Sequence, residues 1–146
     1  CWETQVSQPA LFRYIGEMLQ VGEASQLSAS FTTLSVPQVV EAARAGDQVA
    51  LKALQRVGHY LGIGIASLLN ALNPELVVLG GILSEAAEFI LPVVEAEIKQ
   101  RTLPWNREMV QVLPAAHGSD ACVKGGIATI YQSVLTHSNT VNLWTT

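Results

Sequence analysis

The chain has 146 residues, 49% of them hydrophobic and 14% charged, and a formal charge of -4, which is enough apolar material for one buried core and excludes a disordered segment. Its eight basic residues, Arg13, Arg44, Lys52, Arg56, Lys99, Arg101, Arg107 and Lys124, are scattered, which excludes this stretch as a self-sufficient grip on a nucleic-acid backbone. The uncharged run from Val57 to Pro74 is interrupted by His59, Asn70 and Asn73, and its apolar remainder is too short for a bilayer core of about 30 Å, so a buried helix is expected instead.

Ser7 to Gln20 places Ala10, Leu11, Tyr14, Ile15, Met18 and Leu19 on a helical period, with Ser7 as cap and Pro9 in the first turn. Gly22 to Val36 reads as a polar loop, after which Ser35 caps a short helix begun by Pro37 and ended at Gly46. Together these helices are expected to form a lid or partner surface rather than core. Asp47 caps the longest helix, amphipathic in its first half and apolar nearly all round in its second, which must then be buried. Gly58, Gly62 and Gly64 weaken that helix by about 1 kcal/mol each relative to alanine, which predicts another element packed against its backbone.

Leu76 to Leu79, bounded by Pro74 and Gly80, reads as a short strand covered on both faces, as in a parallel sheet flanked by helices. Gly80 and Gly81 clear side chains from its end, where a ligand or another backbone can approach. Ser84 followed by Glu85 is expected to start a helix whose free N–H groups favour an oxyanion; a plain tight turn is the alternative. Pro92 kinks or restarts that helix, which ends over Thr102 to Asn106. Met109 to Leu113 alternates as a second strand. Ser119 and Asp120 cap a final apolar helix through Val123, Ile127, Ile130, Tyr131 and Val134, with Gly125 and Gly126 allowing close packing. Residues 138–146 are a polar tail. The order is that of an α/β lobe with a small sheet and a large helical share.

Among single residues, Cys122 is expected to be a small buried hydrophobe, and two cysteines suggest no disulfide framework. With no signal-like opening, a cytoplasmic protein is expected. His59 has no metal-ligand spacing to any neighbour and reads as a packing or surface residue; His117 reads as conformational; His137 lies at a frayed end; Asp120 reads as a cap before an acid or base. The chain opens on Cys1-Trp2-Glu3 rather than Met and is expected to be part of a longer protein.

Three patches then coincide. Cys1-Trp2-Glu3 followed by Ser7 looks like the end of a C-x-C-G-x-x-G-C-x-E signature. Tyr60-Leu61-Gly62-Ile63-Gly64 through Asn73-Pro74-Glu75-Leu76-Val77-Val78-Leu79-Gly80-Gly81 and the closing Gly118-Ser119-Asp120-Ala121-Cys122-Val123-Lys124-Gly125-Gly126 follow in order. The set resembles the ROK family of sugar-responsive repressors and sugar kinases over residues 1–137. The resemblance implies the C-terminal lobe of the fold shared by actin, sugar kinases and heat-shock ATPases.

It also implies roles for particular residues. Cys1 matches the last thiolate of a structural zinc site, with a free thiol as the alternative, since one thiolate cannot complete a four-coordinate site. Glu3 matches a glutamate that accepts hydrogen bonds from sugar hydroxyls, with a solvated surface glutamate as the alternative. Gly80 and Gly81 would face a nucleotide cleft if the protein is a kinase using ATP and magnesium, and would be architecture in a repressor. No catalytic residue is assigned in this stretch. Gln8-Pro9 stands where kinases of the family carry Gly-Thr, which favours the regulator branch that includes xylose and N-acetylglucosamine repressors. The implied partners are a sugar, a second copy of the chain, and operator DNA bound through an upstream helix-turn-helix. An ATP-dependent sugar kinase lobe and a dimerisation lobe without a ligand of its own are the alternatives.

Overall fold

The computed structural model describes residues 1–105 and 110–136. The expected tail 138–146, His137 and the start of the second strand at Met109 lie outside the described residues.

The elements run α1 (Glu3–Val6), α2 (Gln8–Gln20), a 3-10 segment (Gln26–Thr33), α3 (Val36–Arg44), α4 (Gln48–Leu72), β1 (Leu76–Leu79), a 3-10 turn (Ile82–Ala86), α5 (Ala87–Arg101), β2 (Gln111–Pro114), a 3-10 turn (Gly118–Asp120) and α6 (Ala121–Thr136). The strands pair in parallel, with Leu76 opposite Gln111 and Leu79 opposite Pro114. A parallel pair needs a crossover, and α5 supplies it.

Helix α4 is the spine. It contacts α1, α2 and α3 and, most extensively, α5. Val49, Leu54, Val57 and Leu69 on α4 are fully buried, each side chain contributing about 1.5–3 kcal/mol by leaving water. Two of its glycines let α5 approach: a Cβ on Gly58 would stand 3.0 Å from Val93 Cβ, and one on Gly62 would stand 2.6 Å from Glu97 Cβ and 3.2 Å from Val94 Cα. The expected close packing against this helix is therefore present, and its partner is α5. A second tie crosses the same contact, where Glu97 accepts from Arg101 Nε at 2.6 Å and meets His59 Nδ1 at 2.8 Å. The hydrogen bond from Arg101, then that from His59, holds the Glu97 carboxyl below its ordinary range. His59 is thus a part-exposed residue tied to Glu97 across the two helices.

The ends of α4 are fixed by backbone chemistry. Asp47 Oδ1 accepts from the N–H groups of Val49 and Ala50, both at 3.0 Å. Its Oδ2 accepts from the Ser25 hydroxyl at 2.8 Å and the Gln26 N–H at 2.9 Å. One carboxylate thus caps a helix and closes the preceding loop. At the other end Asn73 takes the left-handed conformation, φ 46 and ψ 52, and its N–H donates to the Leu69 carbonyl.

Four expectations are corrected. The loop from Gly22 to Val36 contains a 3-10 segment, seeded where the Leu27 N–H donates to the Ser25 hydroxyl oxygen, and Leu27 is buried. Helices α2 and α3 belong to the core: Leu11, Tyr14, Ile15, Val36 and Val39 are fully buried, because the apolar stripes of both helices face α4 and α3 also packs on the 3-10 turn after β1. They are no lid. The sheet is covered on one face only; Val77 and Leu79 pack on the core, whereas Leu76, Val78 and Leu113 on the other face are about half exposed. The last turns of α4 follow the same pattern, with Leu68 and Leu72 exposed.

Helix α6 departs furthest. Val123, Ile127, Ile130, Tyr131, Val134 and Leu135 are all exposed, and a Cβ on Gly125 or Gly126 would meet nothing within 4 Å. The apolar stripe is present, but among the described residues no element packs on it. Cys122 is exposed for the same reason. Pro92 lies inside α5 without ending it.

Asp47→Ala is expected to lower stability by about 1–2 kcal/mol through the lost cap, read as a lower urea midpoint at pH 7. Burial alone would raise the Asp47 pKa, but the hydrogen bonds from Ala50, Ser25, Gln26 and Val49 together lower it. The stabilisation is then complete above the ordinary aspartate value of about 3.9 and fades as pH falls through the depressed folded value. The wild-type advantage over Asp47→Ala should therefore hold at neutral pH and shrink as pH falls below about 3.9. Gly62→Ala is expected to cost about 1–3 kcal/mol by overpacking against α5, despite alanine's better helix propensity; an unchanged melting temperature would contradict this contact.

Candidate functional site

Two clusters hold the residues singled out by the sequence. The first lies at the carboxyl ends of β1 and β2, where parallel α/β sheets bind ligands. After Leu79 the backbone passes Gly80 and turns at Gly81, whose φ of 83 and ψ of -178 occupy a region open to glycine alone. The Ser84 hydroxyl donates to the Gly81 carbonyl at 2.6 Å, and the Ser84 N–H donates to the same oxygen at 3.0 Å. After β2 the chain reaches His117 and Gly118, whose missing Cβ would stand 3.8 Å from Ser84 Oγ. The two turns are therefore neighbours.

This corner differs from the expected anion site. Ser84 is spent on a 3-10 turn instead of opening a helix, and α5 begins at Ala87 without a side-chain cap. Near that end Glu88 is bound by Arg44, with Nη2 to Oε1 at 2.6 Å and Nε to Oε1 at 2.9 Å. A carboxylate already complements the positive end of the helix, which weakens its attraction for a further anion. Gly80 and Gly81 are both exposed, and a Cβ on Gly81 would enter open space. Gly81 is thus required by its backbone angle rather than by a neighbour pressed against it. Asp120 ends the 3-10 turn immediately before α6, the place a carboxylate favoured by the helix dipole occupies. His117 Nδ1 lies 3.3 Å from Lys124 Nζ.

The second cluster surrounds Glu3. The opening turn is closed by the Thr4 and Gln5 N–H groups, donating to the carbonyls of Cys1 and Trp2. It is anchored on both sides. Towards α4, Trp2 Nε1 donates to the Tyr60 carbonyl at 2.7 Å. Towards α2, Arg13 donates to the Thr4 carbonyl at 3.1 Å, and the Tyr14 hydroxyl donates to the Gln5 side chain. Tyr14 is fully buried, with the Arg56 guanidinium 4.1 Å from its ring centre. Burial raises its pKa, so the phenol stays a donor. Between these anchors the Glu3 carboxylate is exposed and has no hydrogen-bonding or ion-pair partner among the described residues. It borders an open depression of about 400 Å³ that is lined also by Thr4, Ser7, Pro9, Ala10 and Arg13. An ionised carboxylate held on an ordered turn with both oxygens free can accept from paired hydroxyls. Neither Gly80 nor Gly81 lines this depression.

Another depression, of about 440 Å³, lies between α5 and β2 against Ile98, Val110 and Val112. It holds none of the singled-out residues. Cys1 is exposed with a free thiol, and among the described residues no three metal-ligating side chains come together. The residues present do not make a zinc site. Trp2, Tyr60 and Gly64 are the contributors the sequence did not reveal: Gly64 announced a close neighbour, but nothing in the pattern said that it would be an indole.

Comparison with known proteins bears on both clusters. Residues 1–133 match the ROK family profile. The chain is 34% identical over 129 residues to a glucokinase of Halalkalibacterium halodurans, covering 86% of this chain and 39% of that protein. It is 30% identical over 125 residues to the xylose repressor of Bacillus spizizenii, covering 86% of this chain and 29% of that one. In structure it resembles a ROK family glucokinase from Streptomyces griseus, solved with glucose and AMPPNP, at a TM-score of 0.80 and 28% identity over 90% of this chain and 45% of the other. The chain thus spans less than half the length of each of these proteins, and its fold is that of a lobe of the actin-like ATPases. By profile, identity and fold alike, the chain belongs to the ROK family.

Proposed function

We propose that this chain is the sugar-sensing and dimerisation lobe of a ROK transcriptional regulator. What supports a sugar ligand is Glu3, a carboxylate with both oxygens free on a turn pinned to two helices. What favours a regulator over a kinase is Gln8-Pro9. Pro9 sits in the first turn of α2 and lines the Glu3 depression, where kinases of the family carry Gly-Thr. A proline ring fixes φ and removes an N–H, so it takes from that turn both the close approach and the donor that a phosphate would use.

On this reading a sugar binds in the cytoplasm between this lobe and the rest of the protein and shifts a homodimer between two arrangements. The sugar acts only through its different affinity for the two arrangements. Operator DNA is held elsewhere in the protein, because the basic residues of this chain form no patch. The outer faces of α2 and α3 are the candidate dimer surface.

The second reading is the lobe of an ATP-dependent sugar kinase. The turn at Gly81, at the carboxyl end of a parallel strand, is the observation that favours it. Calorimetry on the full-length protein separates the two. The regulator reading expects binding of at least one of D-xylose, D-glucose and N-acetylglucosamine, and none of Mg·ATP at micromolar concentration. Glu3→Gln is expected to weaken the sugar by about 10- to 100-fold, the worth of hydrogen bonds to an ionised acceptor. Micromolar ATP binding with turnover of sugar to its phosphate would overturn the regulator.

A further inference from the structure

The first helical turn carrying Glu3 would be a poor platform on its own. It has four residues, Glu3–Val6, no buried side chain and no side-chain cap. A segment so short does not hold its shape without external contacts. Its order comes from the two anchors, and they are unequal. The α2 side uses hydrogen bonds alone: Arg13 to the Thr4 carbonyl and to Gln5, with Arg13 shared with Glu17, and the buried Tyr14 hydroxyl to Gln5. The α4 side uses a side chain fitted to a gap.

That gap is Gly64. A Cβ on this residue would lie 2.1 Å from Trp2 Cε2, 2.3 Å from Nε1 and 2.4 Å from Cζ2, so the indole occupies the volume any other residue would fill. The hydrogen bond follows from the same vacancy. Within α4 the Tyr60 carbonyl points towards residue 64, and a carbonyl oxygen has two lone pairs. With no side chain on Gly64, the indole reaches the second lone pair at 2.7 Å. Shape and hydrogen bond together select tryptophan: a smaller residue loses both, and phenylalanine keeps only the shape.

We propose that Trp2 is the positioning residue for Glu3, its indole seated on Gly64 and bonded to the Tyr60 carbonyl so that the adjacent carboxylate is presented to the ligand in one orientation. The inference rests on the reading of Glu3 as the sugar contact and adds to it the part that makes the contact geometrically defined. Glu3 touches the ligand; Trp2 acts through Glu3. It also makes α4 the support of the ligand turn, and α4 is the helix against which α5, the crossover between the two strands, packs.

The test compares Glu3→Gln, Trp2→Phe and Gly64→Ala in the full-length protein, using D-xylose, D-glucose and N-acetylglucosamine as calorimetric probes and the Trp2 indole N–H resonance, assigned by its loss in Trp2→Phe. In the wild type this indole proton should exchange with solvent more slowly than a free indole. Gly64→Ala should return it to free exchange and weaken the sugar about tenfold or more, as for a charged acceptor no longer held in place. Its thermal midpoint should be unchanged or raised, because alanine is the better helix former and the half-exposed ring can swing into solvent. Trp2→Phe should weaken the sugar by about two- to tenfold, the worth of one neutral hydrogen bond, and covers the case in which Gly64→Ala fails to fold. A merely structural role would lower the midpoint and leave affinity alone. If Glu3→Gln weakens the sugar while Gly64→Ala and Trp2→Phe do not, positioning by Trp2 is overturned and the sugar contact stands. If Glu3→Gln binds every probe as the wild type does, the sugar contact falls and the positioning role with it.

Discussion

Everything in this lobe depends on how closely α5 can lie against α4. Gly58 and Gly62 strip one face of α4 to its backbone, and Val93, Val94 and Glu97 occupy the space released. Because α5 is also the crossover between β1 and β2, its depth on α4 sets where the two strands lie and whether their carboxyl ends share a level. The turns at Gly81 and Gly118 are neighbours as a consequence. A third glycine on the same helix, Gly64, takes the Trp2 indole and thereby the opening turn. Each glycine costs helix propensity, about 1 kcal/mol relative to alanine. The Asp47 cap at one end and the Asn73 left-handed turn at the other offset part of that cost by fixing the helix termini.

Much of this was legible in the residues, and what was not has a common cause. The bounds of β1, the caps at Ser7 and Asp47, the parallel pairing and the close approach to α4 all rest on local chemistry or on period, and the structure has them. A glycine in a helix says that something comes near; it does not say what. At 58 and 62 the neighbour is a helix, at 64 an indole, and at 125 and 126 nothing within 4 Å. An apolar stripe likewise asks for a partner without naming one. On α2 and α3 the partner is α4, which turned an expected lid into core. On α6 and on the outer face of the sheet no element among the described residues answers, so Ile127, Ile130, Leu76 and Val78 remain exposed. The helix start expected at Ser84 failed because its hydroxyl bonds backward to Gly81, a choice that serine makes readily and that sequence pattern does not record.

The site follows the same logic. Glu3 was visible as a motif residue, but what gives it meaning is that the surrounding turn is ordered by Trp2, Arg13 and Tyr14 while its own carboxylate is left free. The glycine corner, by contrast, is exposed and lies beside a helix end already matched by Glu88 and Arg44, so its geometry serves the turn more evidently than it serves an anion. Membership of a family that contains both glucokinases and repressors is compatible with one lobe design serving either role. On the proposed reading the difference would be carried by small local features such as Pro9, which lines the depression beside the Glu3 carboxylate.

The most direct measurement is a crystal structure of the full-length protein with its sugar bound. The account requires both Glu3 carboxylate oxygens within hydrogen-bonding distance of sugar hydroxyls, with the Trp2 indole still on Gly64 and no nucleotide at the Gly81 turn. A sugar bound without contact to Glu3, or an indole lifted away from α4 in the liganded state, would contradict it.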